Sequence, residues 1–373
     1  MKKKNFIFFF EDSRYGGPIK RSLLIAKYFK SLKLQTIFIA AAKNSKKFRS
    51  EIKKLKLKFR FINIQTPQKK ILHLLKYFLF YFYEILKIKN IIKLNNYDYY
   101  FIYGTYQLKS LFISLYLRKK IIWYLEETHG NYFLIKLFKI FLAKKSLIVC
   151  VSQKVRSYFF NRLELLKYNV YVLNVGIDTS EFNLNNFSKK KTLDIVSVSG
   201  YSKPKGITNL VNLCLKLKQL KKKYKVHVLA DPIKSQIKNI NYVKNQIKKY
   251  QLNNIKIYDK YISVDKFYEK SNLFLCLSNS EGGPLTVWEA MSKGKVVISY
   301  NVGGVSEIIK NGYDGFIINR NNLKQVIRKI DFISKNYNLS KKIGLRARKK
   351  IKNKLDYKVT SENLLKLIDR KMK

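Results

Sequence analysis

Ser280-Glu281-Gly282-Gly283-Pro284-Leu285-Thr286-Val287-Trp288-Glu289-Ala290-Met291 holds the densest set of structural signals in this chain. An apolar run, Leu273 to Leu277, precedes it, and Lys293-Gly294 and a second apolar run, Val296 to Tyr300, follow. Short apolar runs bounded by turn residues read as buried strands. Glycine just past a periodic segment ends a helix, and proline suits a first helical turn because it has no N–H to leave unpaired there. The stretch therefore reads strand, loop, helix, strand. Paired glycines let backbone approach a ligand closely, and the free N–H groups of a helix start, at the positive end of its dipole, attract an anion. Glu281 in the loop and Glu289 about one turn into the helix would repel phosphate but suit bidentate acceptance from pairs of sugar or ribose hydroxyls. A loop charge and a dipole-favoured first-turn residue is the alternative reading.

Working outward, the same device recurs at Gly16-Gly17-Pro18, after the apolar run Phe6 to Phe10. Two such anion sites could hold a diphosphate between two domains. Further strands are expected at Thr36 to Ala40, Tyr99 to Tyr103, Ile121 to Leu125 and Ser146 to Val151, then Leu193 to Ser197, Lys225 to Leu229 and Ile255 to Tyr258. They alternate with lysine-faced segments of helical length, the pattern of parallel sheets with crossover helices. The polar stretch Asp178 to Lys191 reads as a linker. The expected domains are 1–178, 179–345 and a helical segment 346–373 packing back toward the first domain.

The 373 residues carry 77 Lys+Arg against 23 Asp+Glu, a net charge of +54, yet 47% of them are apolar, which supplies a large core and excludes disorder. The charge is +27 up to residue 180 (36 basic, 9 acidic) and +27 beyond it (41 basic, 14 acidic), and only 12 of the basic residues are Arg. Even spreading and a shortage of Arg argue against a nucleic-acid groove. What remains is composition drift toward A/T-rich codons, or anionic partners such as phosphorylated substrates and an acidic membrane leaflet. Residues 71–88, where Leu, Tyr and Phe alternate with Lys76 and Lys87, fit either a core helix or a basic helix lying on such a membrane. Every longer apolar run is interrupted by Lys or Glu, so no spanning helix is expected. Met1-Lys2-Lys3-Lys4 and the following apolar run read as a first strand rather than a signal peptide. Cys150, Cys214 and Cys276 are widely spaced in apolar stretches and read as buried thiols in a reducing cytoplasm.

Seven of the fifteen glycines fall between Gly282 and Gly315, which extends the motif: after Glu281-Gly-Gly-Pro and Glu289-Ala-Met come Gly294, Gly303-Gly304, Glu307 and Asn311-Gly312-Tyr-Asp-Gly315. This resembles the signature of the retaining glycosyltransferases of family 4, and the Glu-x7-Glu pair is its most specific element. Gly16-Gly17, His129-Gly130, Val151-Ser152-Gln153-Lys154-Val155, Asn174-Val175-Gly176-Ile177-Asp178 and Gly200 to Lys205-Gly206 carry the resemblance along the chain in the right order. It implies the GT-B fold, two Rossmann-like α/β domains whose parallel sheets face a central cleft. The donor, a nucleotide-diphosphate sugar such as a UDP- or GDP-sugar, would lie mainly on the second domain and a glycan or lipid-linked acceptor on the first. Glu289 would bind ribose, Glu281 the hydroxyls of the transferred sugar, and main-chain N–H groups around Gly17, Gly282, Gly283, Pro284 and Leu285, with Gly16, the diphosphate or sugar. Lys205 would balance diphosphate charge, and His129 would stand near the transferred sugar.

Departures are specific. Tyr201 stands where the family usually has Arg, in a loop one residue shorter, so Lys203 is the candidate replacement cation, a point charge rather than a fork. Ala230-Asp231 and Val175 replace a usual glycine and asparagine. No Asp-x-Asp motif occurs, so neither a metal nor a bound cofactor is expected. Two other classes stay open at this level: a nonhydrolysing nucleotide-sugar epimerase, which shares the two-domain plan, and a basic nucleic-acid-binding protein. The expected setting is the cytoplasm, at the inner face of the membrane, in surface polysaccharide or lipopolysaccharide synthesis.

Overall fold

A computed structural model describes residues 4–372 except 67–70, 95–96, 106, 117–119, 129–134, 137, 140–145, 164–168, 182–192, 223, 232–235 and 260–263. The ten apolar runs form strands, and three more appear. Two compact units result, one from Met1–Gly176 with Tyr357–Lys373 and one from Ile177–Asp356. Most of the polar stretch from Asp178 to Lys191 lies outside the described residues.

In the first unit β1 (Asn5–Phe10), β2 (Gln35–Ala41), β3 (Lys58–Ile62), β4 (Tyr99–Tyr103), β5 (Lys120–Leu125), β6 (Leu147–Cys150) and β7 (Asn169–Val172) form one sheet in the order β3-β2-β1-β4-β5-β6-β7. Each described pairing is parallel. Both faces of a parallel sheet are covered by crossover helices, which is why its central strands are apolar without alternation. This chain fills the core largely with rings: Phe8 lies between Phe38 and Phe101, with centroids 4.9 and 4.6 Å away. The second unit repeats the plan with β8 (Asp194–Gly200), β9 (Lys225–Asp231), β10 (Ile255–Tyr258), β11 (Leu273–Cys276), β12 (Val296–Tyr300) and β13 (Phe316–Ile318), ordered β10-β9-β8-β11-β12-β13 and again parallel. Both sheets are thus Rossmann-like. All three cysteines are buried free thiols.

The segment expected as one piece over 346–373 divides in two. Helix Tyr337–Lys354 belongs to the second unit and helix Tyr357–Lys371 to the first. The latter is tied on by an ion pair between Lys4 and Asp369 and by the Lys27 ammonium 5.0 Å from the Tyr357 ring centroid. Gly176 lets it approach, since a Cβ there would stand 2.9 Å from the Tyr357 Cα and collide with the Thr360 hydroxyl.

Residues 71–94 form two helices, Ile71–Leu79 and Tyr81–Leu94, meeting at Phe80. Tyr77, Tyr81, Ile85, Ile88, Ile91 and Ile92 face inward, as a helical period dictates. Polar bonds fix that inner face. The Tyr77 hydroxyl donates to Glu11 Oε2 at 3.2 Å, Lys109 pairs with Glu84 at 2.9 Å, and the Gln65 N–H donates to Glu84 Oε1 at 2.8 Å. Among the described residues no helix is long and apolar enough to cross a membrane.

Candidate functional site

In the second sheet the chain runs outward from β8 through β9 to β10, then returns to place β11 beside β8 and runs outward the other way. The loops after β8 and β11 therefore leave in opposite directions at the carboxyl ends of their strands, which is where ligands of such sheets bind. Those loops are Gly200–Gly206 and Ser278–Pro284, the two that the sequence singles out.

They are laced together. The N–H groups of Asn279 and Ser280 donate to the Pro204 carbonyl at 2.8 and 3.2 Å, and Asn279 Nδ2 donates to the Lys203 carbonyl at 2.9 Å. Gly206, at φ +65°, caps the start of helix Ile207–Gln219, and a Cβ on it would collide with the Leu277 carbonyl. On the far side Gly303, at φ +50°, lies so close that a Cβ would stand 2.5 Å from the Gly282 carbonyl oxygen, which accepts the Gly304 N–H at 3.1 Å. Only glycine fits both constraints at these places.

Within this frame Lys205 Nζ donates to both oxygens of Glu281, at 3.0 and 2.9 Å. Ser278 Oγ donates to Glu281 Oε1 at 2.9 Å, and the Ser199 hydroxyl holds the Lys205 carbonyl at 2.9 Å. The Lys205 side chain is 46% exposed and that of Glu281 13%. An ion pair so placed contributes roughly 0–1 kcal/mol to folding, so stability gives little reason for it. Helix Leu285–Ser292 starts immediately after, with Pro284 as its cap residue, one position outside the first turn where the sequence puts it; Pro18 does lie in the first turn of its helix, Gly17–Ser31. Glu289 is buried one turn on.

The structure thus gathers Glu281, Lys205, Gly282, Gly283, Pro284 and Leu285 at the carboxyl edge of the second sheet, with Glu289 one turn into the helix. Lys203 is exposed, and it is its main chain that joins the lacing. Tyr201, at the position of the missing Arg, is buried and donates its hydroxyl to Asp259, which also pairs with Lys244 at 2.7 Å. Gly16 and Gly17 belong to the first unit and cap and open helix Gly17–Ser31. A Cβ on Gly16 would meet nothing closer than 3.9 Å, so the fold itself does not demand glycine there. His129 and Gly130 lie outside the described residues.

Sequence reasoning misses three groups here. Ser278, which holds Glu281, has only its place in Leu277-Ser278-Asn279-Ser280 as a signal. Arg320, whose guanidinium donates to the Asn279 carbonyl at 3.0 Å, has none. The third is the carboxyl edge of the first sheet, where the same topology puts the reversal between β1 and β4. Glu11 follows β1, and burial pushes its carboxyl up to about 7 against the pull of Lys109. Glu126 and Glu127 follow β5; Glu126 pairs with Arg21, and burial, then the charge of Glu126, raise Glu127 to about 7.

Residues 178–350 match the family Glycosyl transferases group 1. An uncharacterized glycosyltransferase of Methanocaldococcus jannaschii, MJ1178, is 26% identical over 218 residues, covering 58% of this chain and 56% of the relative. The capsular polysaccharide biosynthesis glycosyltransferase CapM of Staphylococcus aureus is 31% identical over 98 residues, covering 26% of each. The chain thus spans between about a quarter and about half of these relatives' length. In fold it is similar to Anabaena HepE, solved in complex with UDP-glucose, with a TM-score of 0.81 at 15% identity over 98% of this chain and 99% of that one. The match to the glycosyltransferase group 1 domain thus falls within the second unit, and the two sheets have the architecture of the GT-B fold.

Proposed function

We propose that the chain is a retaining glycosyltransferase of family 4 that moves a sugar, a hexose or a close relative, from a UDP- or GDP-sugar to a hydroxyl of a glycan or lipid-linked acceptor. The observation that carries the reading is the Lys205–Glu281 pair at the reversal of the second sheet, beside a glycine-flanked helix start. Glu281 can take the hydroxyls of the transferred sugar. Glu289, further in, can take the ribose. The N–H groups of Leu285 and Thr286, which open the helix, can serve the diphosphate, whereas that of Val287 already donates to the Pro284 carbonyl at 3.0 Å.

Breaking the sugar–phosphate bond puts negative charge on the departing diphosphate. In this mechanism Lys205 leaves Glu281 for that charge as it develops, with Lys203 beside it, and each preorganised donor of this kind contributes a few kcal/mol. Acceptor attack from the face that the diphosphate leaves retains the anomeric configuration without a covalent intermediate. The acceptor proton passes to the leaving phosphate, and His129 is the residue that the resemblance assigns to the transferred sugar. Cationic side chains take the place of a metal, and no bound cofactor is required.

The similarity to CapM supports a role in surface polysaccharide or lipopolysaccharide synthesis. The protein then works in the cytoplasm, peripheral to the inner face of the membrane, with residues 71–88 against it. Replacing Glu281 with Ala should abolish transfer while the thermal midpoint stays in place; near-normal turnover would overturn the site. A thermal-shift comparison of UDP-, GDP- and ADP-sugars identifies the donor, because a ligand that binds only the folded state raises its stability. Incubation with that donor alone distinguishes transfer from epimerisation, since an epimerase changes the sugar without an acceptor.

A further inference from the structure

The helix pair Ile71–Leu79 and Tyr81–Leu94 is apolar on two opposite sides. Its inner side is the packed and hydrogen-bonded face described above. Its outer side carries Leu72, Leu75, Phe78, Leu79, Phe82 and Tyr83, and with Phe80 and Leu86 these are eight of the sixteen large apolar side chains exposed among the described residues, up to 76% at Leu79. Isolated exposed leucines need no explanation, but half of them crowded into fifteen residues do.

We propose that this outer face docks on an anionic phospholipid bilayer, with the phenylalanines and leucines among the acyl chains and the lysines at headgroup level. This names the partner of the membrane contact proposed above and rests on that part of the reading. Charge selects the occupant. Lys76 and Lys93 are exposed along the pair, Lys87 and Lys89 are half-buried, and the acid in the segment, Glu84, is buried against Lys109. No other acid occurs in residues 71–94, so the outer side of the pair offers no carboxylate to oppose an anionic surface. A second copy is a poor occupant, because it would bring two lysine-bordered faces of chains carrying +54 together.

The anchoring has a further consequence. The Tyr77 hydroxyl reaches from this pair to Glu11, directly after β1 at the reversal of the first sheet. A bilayer on the outer face lies about one helix diameter, roughly 10 Å, from that sheet edge. An acceptor bound at that edge is therefore within reach of the lipid headgroups.

The test is co-sedimentation of the full chain with vesicles of phosphatidylcholine containing about one third phosphatidylglycerol, without donor or acceptor, so that its outcome is separate from that of the transfer reading. The parent chain is expected to partition onto these vesicles and to remain bound at about 0.5 M salt, because acyl contact is not screened. The double variant Phe78→Glu with Phe82→Glu should bind at least about tenfold more weakly. Its thermal midpoint should be unchanged, since both side chains are exposed. Failure of the parent to sediment, equal binding by the folded variant, or complete release by salt would each overturn the proposal. So would a dimer of the parent that the substitutions dissolve and vesicles do not.

Discussion

Glu281 is held by two donors of different kinds, the Ser278 hydroxyl and the Lys205 ammonium, and only the second can leave without disturbing the loop. Lys205→Ala should therefore keep the thermal midpoint within about 2 °C, as expected for an exposed pair. It should weaken donor binding by about tenfold or more, which calorimetry with the identified nucleotide sugar measures. Glu11 behaves differently. Its folded pKa of about 7 lies above the ordinary 4.5, with burial as the main cause. It therefore contributes stability that is fully present below about pH 4.5 and lost as pH rises to about 7. The charged and titratable groups around it are Lys109, Tyr77, Tyr81 and Tyr100. Glu11→Gln keeps an oxygen for the Ser110 N–H and removes the charge, so its thermal midpoint should fall less than that of the parent between pH 5 and pH 8. A parallel decline in both proteins would refute the assignment to Glu11.

At the scale of elements, what the sequence could not announce lies at the edges. The missed strands β3, β7 and β13 are the outermost of their sheets; Lys58–Ile62 alternates charged and aromatic residues because one side of it meets water. An edge strand needs no continuous apolar run, and a strand of three residues such as β13 has no period to detect. Central strands and glycine-marked helix starts were legible because burial and backbone geometry leave few residues that fit. The site was legible to the same extent: Glu281, Lys205 and the glycines announce themselves, whereas Arg320 reaches the loop from a distant segment. Packing between elements also depends on pairs that no local pattern shows. Gly344, inside helix Tyr337–Lys354, faces Gly294, which ends helix Leu285–Ser292 at φ +74°, and a Cβ on Gly344 would collide with the Gly294 carbonyl. Gly344→Ala, a helix-favouring change on propensity alone, should instead cost about 1–3 kcal/mol, read as a lower denaturant midpoint.

For the molecule as a whole, the even charge of the two halves makes +54 a property of the entire surface rather than the mark of one groove. The larger asymmetry is in how the units are made. The second is one continuous piece, Ile177–Asp356, whereas the first is closed by a helix that follows it in the chain. Removing residues 357–373 should therefore loosen the first unit alone: limited proteolysis is expected to cut within residues 4–176 while the second unit survives as a resistant fragment. Equal resistance of both would show the helix to be dispensable. The Lys4–Asp369 pair, which joins β1's entry to that helix, gives this arrangement a direction in time. On the ribosome, Asp369 emerges only after all of Ile177–Asp356, so the unit begun first is the last to be completed. The apolar side of helix Gly17–Ser31 that this last helix covers must wait, open to solvent, while the second unit folds, and aggregation of nascent chains is expected to be greatest in this interval.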